Sequence, residues 1–261
     1  MNQTLWVAKT GLDAQQTRLS IISNNLANSS TNGFKKDAAI FEDLMYQNLR
    51  QSGGQTSQDT QLPSGLAVGT GVRLVATEKM HSQGNIVQTG NALDMAINGR
   101  GFFQILRPDG NLGYSRDGSF QTNAQGQVVT SNGYLVQPAI NIPQGVQSFS
   151  VSQDGTVEVN LPGATAPTQI GNIQLADFIN PAGLQATGEN LYSETAASGA
   201  PQVGTPGLNG IGSILSGSLE TSNVNVVEEL VNMIETQRSY EMNSKVISTA
   251  DGMLQYVNNN L

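Results

Sequence analysis

The chain has 261 residues, a formal net charge of −8 at pH 7 and no cysteine. This charge repels polyanions, so the composition argues against nucleic-acid binding, and the lack of cysteine excludes disulfides, thiol catalysis and cysteine-ligated metals. The length allows one or two domains. No stretch approaches the roughly 18–20 apolar residues that a membrane-spanning helix needs, so we expect no membrane insertion.

The first thirty residues predict a helix with two rows at seven-residue spacing. The first row is Leu5, Leu12, Leu19 and Leu26, and the second is Ala8, Gln15 and Ile22. Asp13 and Arg18 interrupt the apolar run that a secretory signal peptide requires, so we do not interpret this segment as a cleaved signal.

The composition changes from Ser23 to Lys35, which reads SNNLANSSTNGFK. Short polar side chains compete for backbone hydrogen bonds and end helices, and Gly33 can adopt a positive φ. From the residues alone, this segment predicts a capped helix end followed by a turn.

The next two segments have different compositions. Phe34 to Arg50 places apolar residues at helical spacing, which predicts a short amphipathic helix. Gln51 to Gly71 is rich in Gln, Ser, Thr and Gly, which predicts a flexible linker.

The region from Val72 to Tyr192 predicts mostly antiparallel β structure. Asn-Gly and Asp-Gly pairs are strong hairpin signals, and they recur here between short apolar runs, at 98–99, 109–110, 117–118, 132–133 and 154–155. A Gly/Ser/Pro-rich segment follows, and Ile214 to Glu220 predicts a last strand.

Catalytic candidates are few. The single histidine, His81, has the chemistry of a general base, but it lies in an alternating segment and is interpreted as a strand or surface residue. One histidine excludes multi-histidine metal sites, and the glycine clusters lack the context of a phosphate-binding loop. We therefore predict no catalytic residue, no metal and no cofactor.

The last segment, from Asn223 to Leu261, predicts a long helix. Its heptad row is Val226, Met233, Tyr240, Ile247, Leu254 and Leu261. Side-chain oxygens at 221–223 are N-cap candidates, and further apolar residues lie on other sides of the helix. Such a helix suits several neighbours rather than one partner.

The expected fold class is α+β, with long N- and C-terminal helices pairing as a coiled coil and a mostly antiparallel β centre. We predict three parts: a terminal-helix assembly domain (1–45 and 219–261), a connecting extended/β region (46–94 and 196–218, with an insert at about 46–71) and an outer β domain (95–195).

Several runs resemble motifs of the bacterial flagellar rod and hook proteins. SNNLANSSTNGFK is similar to the N-terminal motif of that family, and ETSNVNV from Glu220 with QRSYE from Gln237 is similar to the C-terminal motif. GRGFF from Gly99 and YSRDGSF from Tyr114 match the middle. The family-motif residues are Asn24, Asn25, Leu26, Asn28, Thr31, Gly33, Phe34, Thr221, Ser222, Asn223, Val224 and Asn225.

The resemblance implies a structural subunit that polymerises with copies of itself into a helical tube. Length and the insert resemble the distal rod subunit, which implies a rigid hollow drive shaft that carries motor torque across the periplasm to the hook and passes export substrates through its channel. The implied partners are the proximal rod and hook subunits at its ends and the P-ring and L-ring proteins around it. The heptad residues of both terminal helices are the expected inter-subunit contacts.

The resemblance also implies location in the flagellar basal body and export through the type III export gate, without a cleaved signal peptide. Phe41 and Met45 resemble the short aromatic–aliphatic motif recognised at that gate, although core packing explains this pair equally well. The insert resembles the rod-specific segment that packs between neighbouring subunits.

Other interpretations stay open. Within the same family, the chain could be a hook or proximal rod subunit. In a different class, it could be a monomeric β-rich secreted binding protein whose helices form an ordinary core. An enzyme is disfavoured because the sequence holds no readable catalytic cluster.

Overall fold

The computed structural model describes residues 3–52, 55–57, 60–61, 63–163 and 166–259. Within them, two long helices flank a series of strands: α1 is Gln3–Ala27 and α2 is Val226–Asn259. The α+β class is confirmed, as are both terminal helices. No helix among the described residues is long and apolar enough to cross a membrane.

The chain forms two compact units. The first contains the described residues of Met1–Leu26, Asp37–Glu78 and Asn225–Leu261, and the second contains Ala27–Lys36 and Lys79–Val224. The chain therefore passes between the units four times. The predicted three-part division remains a prediction.

The first unit consists of the two helices and short antiparallel pairs. Its strands are β1 Asp37–Asp43, β2 Gln47–Arg50, β3 Gln55–Ser57, β4 Thr60–Gln61, β5 Leu66–Val68 and β6 Val72–Lys79, which ends at the boundary of the unit. β1 pairs with β6, β2 with β5 and β3 with β4. The helices pack together at Gly11, where an added Cβ would lie 3.1 Å from Nδ2 of Asn243.

The helix expected between Phe34 and Arg50 is wrong, because this segment contains β1 and β2. The apolar spacing suited a helix, but long-range pairing of β1 with β6 overrides that local preference. The segment expected to be a linker also contains paired strands, β3 to β5, in its described part.

The second unit is built from antiparallel sheets. Its strands are β7 Ile86–Gln88, β8 Met95–Asn98, β9 Phe102–Leu106, β10 Leu112–Ser115, β11 Phe120–Thr122, β12 Val128–Thr130, β13 Leu135–Gln137, β14 Ser148–Val151, β15 Thr156–Asn160, β16 Thr168–Asn172, β17 Leu175–Asp177, β18 Gln185–Gly188, β19 Leu191–Ser193, β20 Gln202–Gly204, β21 Ser213–Ser216 and β22 Ser218–Glu220. The main sheet runs β11-β12-β13-β9-β10-β19-β18. In addition, β17 pairs with β9, and β20 pairs with β17.

Smaller sheets complete this unit: β14-β15-β16, β21-β8 and β22-β7. The antiparallel prediction is confirmed, and the glycines at 110, 133 and 155 lie in tight hairpin turns between paired strands. The pairs at 98–99 and 117–118 instead join strands that do not pair with each other, so they are connections rather than hairpins.

Two adjacent phenylalanines of β9 face different cores, because successive side chains of a strand point to opposite faces. Phe103 belongs to the larger cluster with Ile105, Phe120 and Leu175. Phe102 belongs to a second cluster with Tyr114, Ala176, Phe178, Leu184 and Tyr192. The second cluster supports the charged groups described next.

Candidate assembly site

The second unit, called the central unit from here on, contains residues 27–36 and 79–224. A charged cluster joins its two ends, and Lys35, Glu220 and Arg116 are all buried in it. Nζ of Lys35 donates hydrogen bonds to Oε1 of Glu220 at 2.5 Å and to the carbonyl of Ser82 at 2.8 Å. The same Oε1 accepts the backbone N–H of Gly84 at 2.8 Å. One carboxylate thus ties three chain segments together.

Arg116 completes the cluster from the other side of Glu220. Its Nη1 lies 3.4 Å from Oε2 of Glu220, and its Nη2 donates to the carbonyl of Gly99 at 2.8 Å. Burial lowers the pKa of both Lys35 and Arg116, and the carboxylate of Glu220 opposes this shift in each case. The charges are therefore interdependent, since removal of one partner leaves the others buried without compensation.

Backbone hydrogen bonds reinforce these ion pairs. The N–H of Gly33 donates to the carbonyl of Glu220 at 2.8 Å, and the N–H of Met80 donates to the carbonyl of Lys36 at 2.9 Å. Asn223 accepts the N–H of Lys36 at 2.8 Å and donates through Nδ2 to the carbonyl of Met80 at 2.8 Å. We call the assembly of residues 32–36, 80–84 and 220–223 with Arg116 the motif seam.

Gly33 has the conformation that its motif position predicts. Its φ is +67°, and an added Cβ would lie 2.6 Å from the carbonyl carbon of Arg116. Only glycine fits this combination of positive φ and close backbone approach. The adjacent Phe34 ring lies beneath Nζ of Lys79, 5.1 Å from its centroid.

His81 lies in the motif seam, in the irregular segment between β6 and β7, so the expected strand position is wrong. The residue is half-buried, and both of its ring nitrogens are inaccessible to solvent. Its ring packs edge-on against Phe102 and Tyr192, with centroid distances of 5.5 Å each. Burial, followed by the charges of Lys35, Arg116 and Lys79, lowers its pKa to about 4. The Pro181 carbonyl raises the pKa slightly, and its effect is the smallest of these influences. Neither ring nitrogen makes a hydrogen bond of normal geometry.

The remaining motif residues of the N-terminal run lie at and just after the end of α1. Within the first unit, buried Asn25 accepts the N–H of Asp37 at 2.9 Å and donates to its carbonyl at 3.0 Å, and Asn24 approaches the Asp37 carboxylate at 3.5 Å. Leu26 is half-buried. Within the second unit, Thr31 donates to the side chain of Asn28 at 3.2 Å.

The cap of α2 lies later than the sequence predicted. Oδ1 of Asn225 accepts the N–H groups of Val227 at 3.1 Å and Glu228 at 3.4 Å, so Asn225 is the N-cap rather than any residue of 221–223. Ser222 instead accepts the N–H of Val224 at 3.3 Å. The polar side chain of Asn223 is engaged in the motif seam.

Sequence reasoning did not select Lys35, Arg116 or Glu220 as site residues. Lys35 lies in the SNNLANSSTNGFK run, Arg116 in YSRDGSF and Glu220 in ETSNVNV. The available signal was that two cations and one carboxylate lie in separate motifs. Since a buried charge requires a partner, these three residues could have been predicted to pair. Their contacts span the sequence and are visible only in the folded chain.

The terminal helices carry a candidate surface for contacts between subunits. The described part of α2 buries only polar residues, Glu229 and Thr236, while Val227 and Met253 are each 70% exposed. The covered row of α2 is continued by Asn243 and Ala250, both half-buried. This row lies three positions from the predicted apolar row, and its small or polar side chains allow the close approach seen at Gly11.

The predicted heptad residues are therefore only partly covered. Half-buried positions are Leu5, Leu12, Leu19, Leu26, Met233 and Ile247, and exposed positions are Val226, Tyr240 and Leu254. Leu261 lies outside the described residues. The two helices pack together, but pairing as a coiled coil through the predicted rows is not confirmed.

An open cavity of about 370 Å³ lies in the first unit beside these exposed residues. Val7 and Ala8 of α1, Val68 of β5 and Val246 of α2 provide its apolar lining. Within the described residues, no group of three or more His, Cys, Asp or Glu side chains could hold a metal ion. The candidate site therefore consists of two separate features, the exposed apolar residues of the helices in the first unit and the buried charged cluster of the second unit.

Three family models match segments in the order of the resemblance. Residues 5–35 match the "Flagella basal body rod protein" model, 96–159 match the "Flagellar hook protein FlgE/F/G D1 domain", and 215–260 match the "Flagellar basal body rod FlgEFG protein C-terminal" model. The two helices and the β unit between them therefore define a chain of the flagellar rod and hook class.

Full-length relatives narrow this class. The chain is 58% identical to the flagellar basal-body rod protein FlgG of Buchnera aphidicola subsp. Schizaphis graminum, with 98% of each chain covered. It is 48% identical to FlgG of Caulobacter vibrioides over 97% of each chain, and 38% identical to FlgG of Bacillus subtilis over 98% of this chain and 97% of the relative. The chain belongs to the flagellar basal-body rod protein FlgG family.

Proposed function

We propose that this chain is a structural subunit of the flagellar distal rod, and that copies of it polymerise into a rigid hollow helical drive shaft. The observation that carries the proposal is the uncovered apolar surface of α2, a helix of 34 residues. The role is structural and not enzymatic. Its membership of the FlgG family supports the rod in particular.

The exposed residues of α2 favour several neighbours rather than one. Large apolar side chains are exposed along its length, namely Val226, Val227, Leu230, Val231, Ile234, Tyr240, Met242, Val246, Met253, Leu254 and Tyr256. Full burial of each is worth roughly 1.5–3 kcal/mol. Since an isolated helix is marginal in water, contacts with adjacent subunits supply the missing stabilisation.

A contact between two different surfaces, repeated by every subunit without closing into a ring, produces a helical filament. We propose that the heptad residues of α1 and α2 make these contacts and line a channel for export substrates. The cavity beside Val7 and Val246 is a further receptor for an apolar side chain of a neighbouring subunit. Proximal rod and hook subunits then contact the two ends of the tube.

The strands β2 and β5 offer another contact surface in the first unit. Tyr46, Leu49 and Leu66 are exposed, and Met45 is 88% exposed. We propose that this region, with the rest of the insert, packs between adjacent subunits and stiffens the tube. Before assembly, Phe41 and Met45 serve recognition by the type III export gate, for which the accessibility of Met45 is favourable.

The complete proposal locates the rod in the basal body, spanning the periplasm, after export without a cleaved signal peptide. It transmits torque to the hook while turning inside the P and L rings. We also propose the three-part division, in which the terminal helices assemble, residues 46–94 and 196–218 connect, and residues 95–195 form the outer β domain.

The test is a charge placed on the apolar surface of α2. We expect Ile247→Asp or Leu254→Asp to abolish rod assembly in cells, with exported protein still detectable and the purified chain retaining its β circular dichroism. Ser244→Asp, at an exposed polar position of the same helix, is the matched control. Rods of normal length and number from Ile247→Asp and Leu254→Asp cells, measured by electron microscopy of basal bodies, would refute the proposal.

A further inference from the structure

His81 lies on the segment that connects both halves of the motif seam. Its neighbours Met80 and Ser82 accept hydrogen bonds from Nδ2 of Asn223 at 2.8 and 3.2 Å. Ser82 also accepts from Lys35 at 2.8 Å, and Gly84 donates to Glu220 at 2.8 Å. A displacement of this segment would therefore break contacts to residues from both motif regions.

The groups facing His81 favour its neutral form. Lys35, Arg116 and Lys79 are the nearby cations. The one carboxylate of the cluster, Glu220, already accepts hydrogen bonds on both oxygens. Asp177 faces Arg116 but is paired with Arg100 at 3.2 Å.

The uncharged surroundings offer no better partner for a proton. The ring is held between Phe102 and the phenol ring of Tyr192, and both ring nitrogens are buried without a hydrogen bond of normal geometry. The Pro181 carbonyl is the nearby acceptor, and its influence is the weakest. An imidazolium here would lack solvation and face three like charges, which is unfavourable.

We propose that His81 is an acid-sensitive latch of the motif seam: the neutral ring keeps segment 80–84 closed, and proton uptake opens that segment so that the imidazolium reaches water. The proton adds to a ring nitrogen and no other bond changes. Opening releases Lys35, Glu220 and Asn223 from their contacts with the segment. This inference concerns the folded chain and does not depend on the proposed function.

The lowered pKa of His81, about 4, agrees with this geometry. Because the open segment exposes a histidine of ordinary pKa, near 6.5, acid favours the open form. From these two pKa values, the equilibrium constant for opening of segment 80–84 should increase roughly 25-fold when the pH falls from 7.5 to 5. Above pH 7 the latch is neutral in both forms and opening is independent of pH.

The experiment combines two measurements on the dilute full-length monomer. Proton NMR of the single histidine reports its titration directly, and we expect no titration between pH 8 and pH 5. Hydrogen exchange reports opening, after correction for the intrinsic pH dependence of exchange. We expect protection of peptides covering 80–85 and 218–224 to fall about 25-fold between pH 7.5 and pH 5, with 148–160 unchanged.

Variants distinguish the titration of His81 from that of the other ionisable groups. His81→Phe and His81→Gln remove the titratable ring, and we expect either to lose the pH dependence of seam protection. Lys79→Gln removes one facing cation and raises the pKa of His81, whereas Lys9→Gln, the same charge change on α1, leaves it unchanged.

Three results would overturn the latch. These are titration of His81 near pH 6.5 in the folded wild type, no loss of seam protection in acid, or an equal loss in a His81 variant. If neither variant folds, the wild-type titration still decides.

Discussion

The ammonium group of Lys35 and the carboxylate of Glu220 form a buried ion pair at 2.5 Å, although 185 positions separate the two residues in the sequence. Each side chain is fully inaccessible to solvent. The pair joins the N-terminal motif run to the C-terminal one within the central unit. Residues 32–36 of the N-terminal motif and 220–223 of the C-terminal motif therefore fold as parts of the β unit, whereas Asn24, Asn25 and Asn225 belong to the first unit.

Glu220→Gln should destabilise the central unit by about 3–5 kcal/mol, because Lys35 and Arg116 would stay buried without their carboxylate. Urea unfolding of the monomer, followed by circular dichroism, measures this loss. Glu42→Gln is the control, since Glu42 pairs with Arg73 at 3.1 Å on the surface. That change should cost less than about 1 kcal/mol; equal losses in both variants would contradict the importance of burial.

The central unit should lose stability as the pH falls below 6.5. His81 has a pKa of about 4 in the folded chain and an ordinary value in the unfolded chain, so only the unfolded chain binds its proton between these values. The stabilisation is complete above pH 6.5, and up to ~3 kcal/mol is lost by pH 4. Urea midpoints at several pH values measure it, and His81→Gln should have a flatter profile. Parallel profiles would disprove the assignment.

Gly33→Ala should destabilise the central unit by more than about 2 kcal/mol, because the new Cβ combines a strained φ with a backbone clash at Arg116. Gly133→Ala is a matched control, since Gly133 also has positive φ but no heavy atom within 4 Å of an added Cβ. It should cost about 1 kcal/mol. Thermal unfolding compares the two, and a larger loss at Gly133 would be inconsistent with the close approach.

The terminal helices should exchange their amide hydrogens faster than the central sheet in the dilute monomer. The described part of α2 covers few apolar side chains, whereas the central unit has two buried apolar clusters. We therefore expect residues 3–26 and 226–256 to lose protection within seconds and 95–192 to keep it for hours. Equal protection would favour the interpretation of the chain as a stable monomeric binding protein.

Local patterns predicted the types of most elements. Heptad spacing indicated both terminal helices, and Asp-Gly or Asn-Gly pairs indicated hairpin turns such as those at Gly133 and Gly155. These signals lie within a few residues of one another, so they can be read without knowledge of the fold. They failed at β1, where pairing with the distant β6 outweighed the helical spacing around Phe41.

The candidate site was predicted in part. The motif residues Asn25, Gly33 and Asn223 do hold specific contacts, and their roles as inter-subunit or structural residues remain proposals. The heptad rows identified the two helices correctly. They did not identify the row of α2 that the chain itself covers, because small and polar residues such as Thr236 provide it.

By itself the sequence determined the α+β class, the antiparallel centre, the terminal helices and, through its motifs, the flagellar family. Only the tertiary structure decided that Lys35, Arg116 and Glu220 meet, that His81 is enclosed among cations, and that α2 leaves its apolar residues exposed. The physical reason is the range of each interaction. Periodicity and turn chemistry act between near neighbours, whereas burial and charge pairing depend on which distant segments fold against each other.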